Sequence, residues 1–122
     1  MQSEAASPRR LRPGSGKTWR SPDYLSFVRG RPCVVTGEEG ERVVAHHVRC
    51  LGGGGMGLKP PDWMCLPMTS DQHAQLHAQG EASYWREHGE DPLALIAMTM
   101  LVYLAAHPSV ELVEALGRIV EA

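Results

Sequence analysis

The sequence predicts a single domain of the α+β class, in which one short β-hairpin is followed by a run of helices. Two pairs of valines, at 34–35 and 43–44, flank a Gly-Glu-Glu-Gly segment that is typical of a hairpin turn. Helix start signals then recur at residues 69–71, 91–92 and 108–109. The 122 residues, 43% of them hydrophobic, can bury one modest core but not two.

The chain opens with a basic segment, residues 1–20, that is rich in Ser, Pro, Gly and Arg and has almost no apolar side chains. Such a segment cannot offset the entropy cost of becoming ordered, so we expect a flexible arm there and a folded domain at 21–122. Ser21 and Pro22 suit the N-cap and first turn of a short helix, which Gly30 and Pro32 end.

The predicted hairpin joins residues 33–36 to a second strand that ends at His46 and His47. A long loop follows at 48–62, with a glycine-rich run at 52–57, and loops of this length are often functional or mobile. A helix is predicted from its N-cap at Ser70 to about Glu87, with Gly89 stopping it.

Two C-terminal helices are predicted, one beginning at Asp91-Pro92 and reaching 107, the other following Pro108-Ser109. The first is apolar nearly all round, which is more than one small core can hide. We therefore expect it to lie partly in the core and partly in a homodimer interface.

The net charge of −2 conceals a division of charge along the chain. Residues 1–31 carry seven Lys/Arg and two Asp/Glu, a net of +5, whereas residues 32–122 carry five and twelve, a net of −7. A basic arm on an acidic body is consistent either with a solvated tail or with phosphate contacts to nucleic acid. The candidate DNA-binding residues are Arg9, Arg10, Arg12, Lys17, Arg20, Arg49 and Lys59, with Arg29 and Arg31 beside them.

Several classes of protein are disfavoured. No apolar run approaches the roughly 18 residues of a membrane span, and the polar, arginine-rich start is unlike a secretory signal. The three cysteines, Cys33, Cys50 and Cys65, form no Cys-x-x-Cys pair, which argues against a disulfide framework and a four-cysteine zinc site. We therefore expect a cytoplasmic protein without membrane partners.

Four of the six histidines fall in two tight groups. His73 and His77 are four residues apart on the predicted helix, so both imidazoles share one face. His46 and His47 are neighbours on a strand and must point to opposite sides, so one can bind an ion while the other stays free. A bound cation and a free imidazole suit phosphodiester hydrolysis, although a structural zinc site completed by Cys50 or Cys65 is the alternative.

These motifs resemble those of the HNH endonucleases, which have the ββα-metal (His-Me finger) fold. The similar segments are Val-Ala-His-His at 44–47, the glycine-rich loop, residues 57–67 and Asp-Gln-His-Ala-Gln-Leu-His at 71–77. The likeness is greatest to small phage and prophage members, including recombination-enhancement nucleases that act with the host recombinase. It covers residues 24–89 and implies a core of a β-hairpin plus a helix, with 91–122 as a helical extension.

The resemblance also implies a role for each site residue. His46, His73 and His77 correspond to the metal ligands, and His47 corresponds to the general base. Asp62 occupies the position of the family's middle Asn, which tethers the loop and helps to orient the base. Mg²⁺ or Mn²⁺ is the expected catalytic ion, and an all-histidine site also admits Zn²⁺ or Ni²⁺.

One departure from the family concerns the structural zinc that many relatives hold with two Cys-x-x-Cys pairs. The corresponding positions here are Cys33, Thr36, Thr69 and Gln72. Only one ligand of four remains, so we expect no such zinc, and we expect Cys33 to be a small buried residue. The C-terminal helices are the candidates to replace the lost cross-link.

The sequence therefore predicts a metal-dependent endonuclease that acts on DNA, and the resemblance implies products with 5′-phosphate and 3′-hydroxyl ends. The resemblance places it in the cytoplasm of a bacterial host, with DNA and a recombinase filament as partners. The competing interpretation is a non-catalytic DNA- or protein-binding module that keeps the fold and a structural metal.

Overall fold

A computed structural model describes residues 18–51 and 59–121 of the chain. Its elements are α1 (Pro22–Arg29), β1 (Val43–His47), a 3-10 turn (Asp62–Met64), β2 (Cys65–Thr69), α2 (Ser70–Gln79), α3 (Glu81–Glu87), α4 (Pro92–Leu104) and α5 (Val110–Glu121). The predicted α+β class is confirmed.

The two strands form an antiparallel sheet whose pairing differs from the predicted hairpin. β1 pairs with β2, in a register that runs from Val43 opposite Thr69 to His47 opposite Cys65. The prediction that residues 33–36 form the partner strand is wrong. That segment closes on itself as a turn, because the N–H of Gly37 donates to the carbonyl of Cys33 over 2.8 Å.

Pro67 explains why β2 was missed. A proline inside a strand lacks the N–H of a ladder hydrogen bond and argues against a central strand. β2 tolerates it because the sheet has two strands within residues 18–51 and 59–121, so each of them is an edge strand. The carbonyl of Pro67 accepts a hydrogen bond from the N–H of Val34 over 3.0 Å, and this bond ties the mispredicted segment to the sheet.

The predicted starts of three helices are confirmed by their caps. Ser21 accepts a hydrogen bond from the N–H of Tyr24 at the start of α1. Asp91 accepts one from the N–H of Leu93 ahead of α4, and the hydroxyl of Ser109 precedes α5 in the same way. Local polar side chains therefore satisfy the free N–H groups at each of these ends.

The predicted helix at 70–87 is wrong in two details. Its cap is Thr69, whose hydroxyl accepts from the N–H of Gln72 over 3.2 Å, and Ser70 is the first helical residue. The helix is also divided into α2 and α3 at Gly80, which has a φ of +99° that favours glycine. This break changes the direction of the chain just before Glu81.

The core lies between the sheet, α1 and the C-terminal helices. Its largest fully buried side chains include Trp85, Tyr24 and Tyr84, and α4 and α5 contribute Ile96 and Leu112. Cys33 is buried at 3% exposure, as predicted from the sequence, and Trp63 is buried at 4% exposure. Because β2 is buried at every position, the sheet forms the centre of this core.

The outer face of α4 is apolar and exposed, whereas the outer face of α5 carries both apolar and charged side chains. The large hydrophobic side chains on these faces are Met98, Leu101, Val102, Val110, Val113 and Val120. The division of α4 into a buried and an exposed side agrees with the sequence, and the homodimer stays a prediction. No helix within the two described ranges has the length and apolar character needed to cross a membrane.

The predicted boundary between the arm and the folded domain, at residue 20, is wrong. The carbonyl of Trp19 accepts a hydrogen bond from the N–H of Asp62 over 2.9 Å, and its ring packs edge-on against Tyr24. Trp19 and Arg20 therefore belong to the folded body. Residues 1–17, with Arg9, Arg10, Arg12 and Lys17, lie outside the described residues, as does most of the glycine-rich loop at 52–58.

Candidate active site

The three predicted metal ligands lie together. One ligand atom from each of His46, His73 and His77 can be chosen so that all three atoms are within 4.8 Å of one another. The Nε2 atoms of His73 and His77 are 3.0 Å apart, as their spacing on α2 predicts. His46 reaches them from β1 and is 3% exposed.

The donor chemistry of this group fits a divalent transition metal. Three imidazole nitrogens are a frequent ligand set for Zn²⁺ and suit Ni²⁺ and other borderline ions. Burial and the neighbouring rings of His46 and His77 lower the pKa of His73, which favours the neutral form that a metal ion requires. The described part of the chain contains no second group of this kind.

His47 lies on the opposite side of β1, where its partner is Asp62. The Nε2 atom of His47 is 2.9 Å from Oδ1 of Asp62. Alternation along the strand thus directs one of the two neighbouring histidines to the imidazole group and the other to a carboxylate. The 3-10 turn at Asp62–Met64 brings the carboxylate to this position, 15 residues along the chain from His47.

Asp62 is a buried carboxylate surrounded by donors. Its Oδ2 accepts from the backbone N–H of Ser21 over 2.8 Å, and its Oδ1 also accepts from the guanidinium of Arg20 over 3.1 Å. Burial alone would raise the pKa of Asp62, but the hydrogen bonds from His47, Ser21 and Arg20 outweigh it and lower the pKa. Asp62 is therefore ionised near neutral pH and can only accept hydrogen bonds.

This partner determines which nitrogen of His47 carries the proton. A carboxylate acceptor requires the N–H at Nε2, which leaves a lone pair on Nδ1. Burial lowers the pKa of His47; the carboxylate of Asp62 opposes that effect, and the charges of Lys59 and Arg20 add to it. The ring is consequently neutral near pH 7, and Nδ1 can accept a proton.

Arg20 connects the N-terminal segment to the loop that carries Asp62. Besides Asp62, its guanidinium donates to the carbonyl of Pro60 over 2.6 Å and to that of Lys59 over 3.0 Å. Arg20 was predicted to contact DNA, and these bonds give it a structural position beside His47. Sequence patterns offer no signal for a contact that spans 42 residues.

Glu81 is a site residue that sequence reasoning missed. Its Oε2 lies 2.6 Å from Nε2 of His46, and its Oε1 accepts from the backbone N–H of Arg49 over 2.8 Å. Burial would raise the pKa of Glu81, but the bonds from His46, Arg49 and Trp85 lower it overall. The four-residue spacing of 73, 77 and 81 does not predict this contact, because the helix breaks at Gly80.

Comparison with known proteins provides a family but no activity. The model of a family described as "Protein of unknown function (DUF968)" matches residues 4–105, which is most of the chain. The chain belongs to the DUF968 family. It is 33% identical over 61 residues to the uncharacterized protein YdfU of Escherichia coli K12, a match that covers 50% of this chain and 17% of YdfU. No solved structure matches.

The cysteines of this DUF968 chain lie apart from the imidazole group. Cys65 is opposite His47 in the sheet, so its side chain shares the face of His47 and not that of His46. Burial raises the pKa of the Cys65 thiol to about 12. Neither Cys50 nor Cys65 belongs to the candidate metal group within the described ranges, so they do not complete a zinc site there.

A hydrogen-bonded cluster in this DUF968 chain contains Cys33, Thr36, Thr69 and Gln72. Burial would raise the pKa of Cys33, but hydrogen bonds from the Thr36 side chain and from the backbone at 35, 36 and 69 lower it. The hydroxyl of Tyr84 donates to Oε1 of Gln72 over 2.5 Å beside this thiol. Hydrogen bonds therefore connect elements around Cys33.

The remaining candidate DNA contacts, Arg49 and Lys59, are exposed residues on opposite sides of β1's histidine pair. The backbone of Arg49 is bound to Glu81 of the imidazole side, whereas the carbonyl of Lys59 is bound to Arg20 of the Asp62 side. Arg29 is exposed at the end of α1, and Arg31 stacks over Phe27 at 5.7 Å. A basic residue is thus bound through its backbone to each half of the site.

Proposed function

We propose that this DUF968 chain is a metal-dependent endonuclease of the HNH type, which hydrolyses DNA phosphodiester bonds to 5′-phosphate and 3′-hydroxyl ends. The observation that carries the proposal is that the two neighbouring histidines of β1 have different partners. His46 joins two helical imidazoles on one side, and His47 joins a buried carboxylate on the other. The order β1, β2, α2 supports a ββα-metal core.

His47 is the proposed general base. Its Nε2–H is held by Asp62, so its Nδ1 can take the proton of a water molecule as that water attacks phosphorus. The same carboxylate stabilises the imidazolium that forms. Asp62 itself is held in place by Arg20 and by the backbone of Ser21, so the ring of His47 has a defined orientation before substrate binds.

His46, His73 and His77 are the proposed ligands of a divalent ion. Such an ion supplies electrostatic stabilisation of the negative charge that develops on the phosphate and the leaving 3′ oxygen. The burial of His46 and the helical spacing of the other two hold the three nitrogens close together without further folding. Mg²⁺ or Mn²⁺ is the proposed ion for activity, and Zn²⁺ or Ni²⁺ fits the same nitrogens.

The proposed partners follow from charge and from the resemblance to phage and prophage nucleases. The basic residues 1–17, with Arg49 and Lys59, would bind the DNA backbone without reading its sequence. A recombinase filament in the cytoplasm of a bacterial host is the proposed protein partner. A second copy of this chain is proposed to cover the exposed apolar side chains of α4 and α5.

A non-catalytic binding module with a structural metal is the second candidate. The observation that favours it is the link that the imidazole group makes between β1 and α2, which an ion would strengthen whether or not His47 acts. The two candidates differ in what they require of His47. Only the endonuclease needs its free Nδ1.

The test is nicking of plasmid and single-stranded DNA in Mg²⁺ and Mn²⁺, with and without a recombinase filament. We expect the wild-type chain to cut and His47→Ala to cut about 10²–10⁴-fold more slowly, the usual contribution of a general base. His107→Ala, a change of an exposed histidine on a different part of the chain, is the matched control and should keep full activity.

Metal binding and folding separate the two candidates. If folded His47→Ala cuts as fast as the wild-type chain, the endonuclease proposal is wrong. If neither protein cuts under any of these conditions and chelation lowers the melting temperature, the structural-metal module is the better description.

A further inference from the structure

We propose that Glu81 is a positioning residue of the metal centre, whose carboxylate holds the Nε2–H of His46 and so presents Nδ1 of that ring to the ion shared with His73 and His77. This inference rests on the proposed metal site and adds to it a residue outside the three ligands. It also specifies which of the two nitrogens of His46 binds.

The contacts of Glu81 show that its carboxylate acts as an acceptor. The backbone N–H of Arg49 and the indole N–H of Trp85 can only donate, and they lie 2.8 Å and 3.2 Å from Oε1 and Oε2. The third contact, 2.6 Å from Oε2, is Nε2 of His46. In a site that already receives two donors, the consistent role for this nitrogen is also that of a donor.

The tautomer of His46 follows from that bond. A neutral imidazole has one N–H and one lone pair, so a proton on Nε2 leaves the lone pair on Nδ1. Only the lone pair can bind a metal ion. Outer carboxylates commonly fix the orientation and tautomer of metal-binding histidines in this way and make the ring a better donor to the metal.

Glu81 is well placed to hold this ring and is not itself in the ligand group. The side chain of Glu81 is 11% exposed and that of His46 is 3% exposed, so their hydrogen bond is shielded from water. The group of ligand atoms within 4.8 Å of one another contains the three histidines and omits Glu81. Its place is therefore behind His46 and outside the ligand set.

The break at Gly80 brings Glu81 to this position. Glu81 is the first residue of α3, and Gly80 ends α2 with its φ of +99°. Both oxygens of Glu81 are used, one by the ring of His46 and Trp85, the other by the backbone that follows β1. Two of these bonds thus hold the ring of His46 and the backbone after β1, and the bond from Trp85 holds the carboxylate within α3.

The first experiment needs no variant. Long-range ¹H–¹⁵N correlation spectra of the metal-free protein at pH 7.5 should show His46 protonated at Nε2 and unprotonated at Nδ1. After addition of Zn²⁺, the Nδ1 resonance of His46 should shift on coordination. A proton on Nδ1 without metal, or coordination of Zn²⁺ through Nε2, would overturn the proposal.

The second experiment measures affinity for Zn²⁺ and Mn²⁺ by calorimetry in a set of Glu81 variants. Glu81→Ala should weaken binding about 10–100-fold, the usual loss when an outer-shell partner is removed. Glu81→Gln keeps an acceptor oxygen for Nε2–H but loses the charge, so it should lie between Glu81→Ala and the wild-type chain. Glu87→Gln, an exposed change on the same helix, should bind as the wild-type chain does.

The outcomes distinguish this inference from the proposed metal site. If the wild-type chain binds neither ion, the metal site itself is wrong. If it binds and a folded Glu81→Ala binds equally well, the metal site stands and Glu81 has no positioning role. If Glu81→Ala fails to fold, the tautomer and the coordinating nitrogen of His46 in the wild-type chain still decide the matter.

Discussion

Asp62 accepts hydrogen bonds from three groups of the site. Its carboxylate accepts from His47 at the end of β1 and from the adjacent residues Arg20 and Ser21 ahead of α1. An Asn at this position would carry an amide in place of one carboxylate oxygen, so it could accept fewer of the three bonds. The ionised form of Asp62 is therefore part of the fold as well as of the candidate site.

The stability of the protein in acid should depend on Asp62. Its pKa is lowered in the folded state, against an unfolded value of about 3.9. The carboxylate therefore stabilises the fold at pH values above its unfolded pKa, and this contribution is lost as the pH falls through the lower folded pKa. Asp62→Asn should lower the free energy of unfolding at pH 7 by about 1–3 kcal/mol and flatten its decline below pH ~4.

Urea unfolding between pH 2.5 and 7 measures this effect. Asp71→Asn is the control, since Asp71 is an exposed residue whose surface ion pair with Arg42 contributes little. An acid dependence of Asp62→Asn equal to that of the wild-type chain would contradict the assignment of Asp62 as an ionised, stabilising carboxylate.

The sequence predicted the histidines of the imidazole group, but it did not predict the residues that hydrogen-bond to the two histidines of β1. His46, His73 and His77 could be found because helical spacing and strand alternation are local rules. The roles of Arg20 and Glu81 depend on contacts 42 and 35 residues distant along the chain. Composition assigned Arg20 to a flexible arm, because composition cannot show that its guanidinium donates to three acceptors at residues 59–62.

The strands and helices carry a second lesson about what sequence can predict. Helix caps were recognised at Ser21, Asp91 and Ser109 because each cap is satisfied within three residues. Strand pairing is not local in this way. The glycine-flanked turn at 37–40 attracted a hairpin prediction, whereas the true partner of β1 is β2, with Pro67 at its centre.

Gly80 is the element-scale feature with the clearest consequence. A Cβ at Gly80 would meet nothing within 4 Å, so the cost of Gly80→Ala is backbone strain at a φ of +99° and not a clash. We expect Gly80→Ala to lower the free energy of unfolding by about 1–3 kcal/mol. It should also weaken metal binding, because Glu81 follows directly and holds His46.

Gly117 provides the matched comparison for Gly80. It lies inside α5 with equally open space around its Cβ position and without a positive φ. Gly117→Ala should therefore raise the free energy of unfolding by about 0.5–1 kcal/mol through helix propensity. Denaturant titrations of the two variants should move in opposite directions, and a stabilising Gly80→Ala would refute the strained turn.

The whole molecule combines a candidate site on β1, β2 and α2 with a C-terminal extension formed by α4 and α5. α4 and α5 bury residues such as Ile96 and Leu112 in the same hydrophobic core as the sheet. They also expose several large apolar side chains. The extension thus adds buried apolar contacts to the domain that carries the candidate site. Around Cys33, hydrogen bonds from Thr36 and the backbone of Thr69 provide further connections.

The division of charge is a property of the whole chain. Two N-terminal truncations can separate the effect of the basic residues 1–17 from that of Trp19 and Arg20. Residues 1–17 hold four Lys/Arg and one Asp/Glu, 4 − 1 = +3, while Trp19 and Arg20 are bound to the loop that carries Asp62. A chain that begins at residue 18 loses only the arm. A chain that begins at residue 21 also loses the contacts of Trp19 and Arg20.

The two truncations should therefore fail in different ways. Removal of residues 1–17 should leave the melting temperature unchanged and weaken binding to DNA. The slope of log K against log[salt] should become shallower by up to about 0.9 for each of the four cations that contacts phosphate. Removal of residues 1–20 should in addition lower the melting temperature, since Asp62 then loses the guanidinium of Arg20. DNA affinity and salt slope that are identical in the full chain and the chain beginning at residue 18 would mean that the arm is a solvated tail, and the DNA contacts would then have to come from Arg49, Lys59 and the folded body.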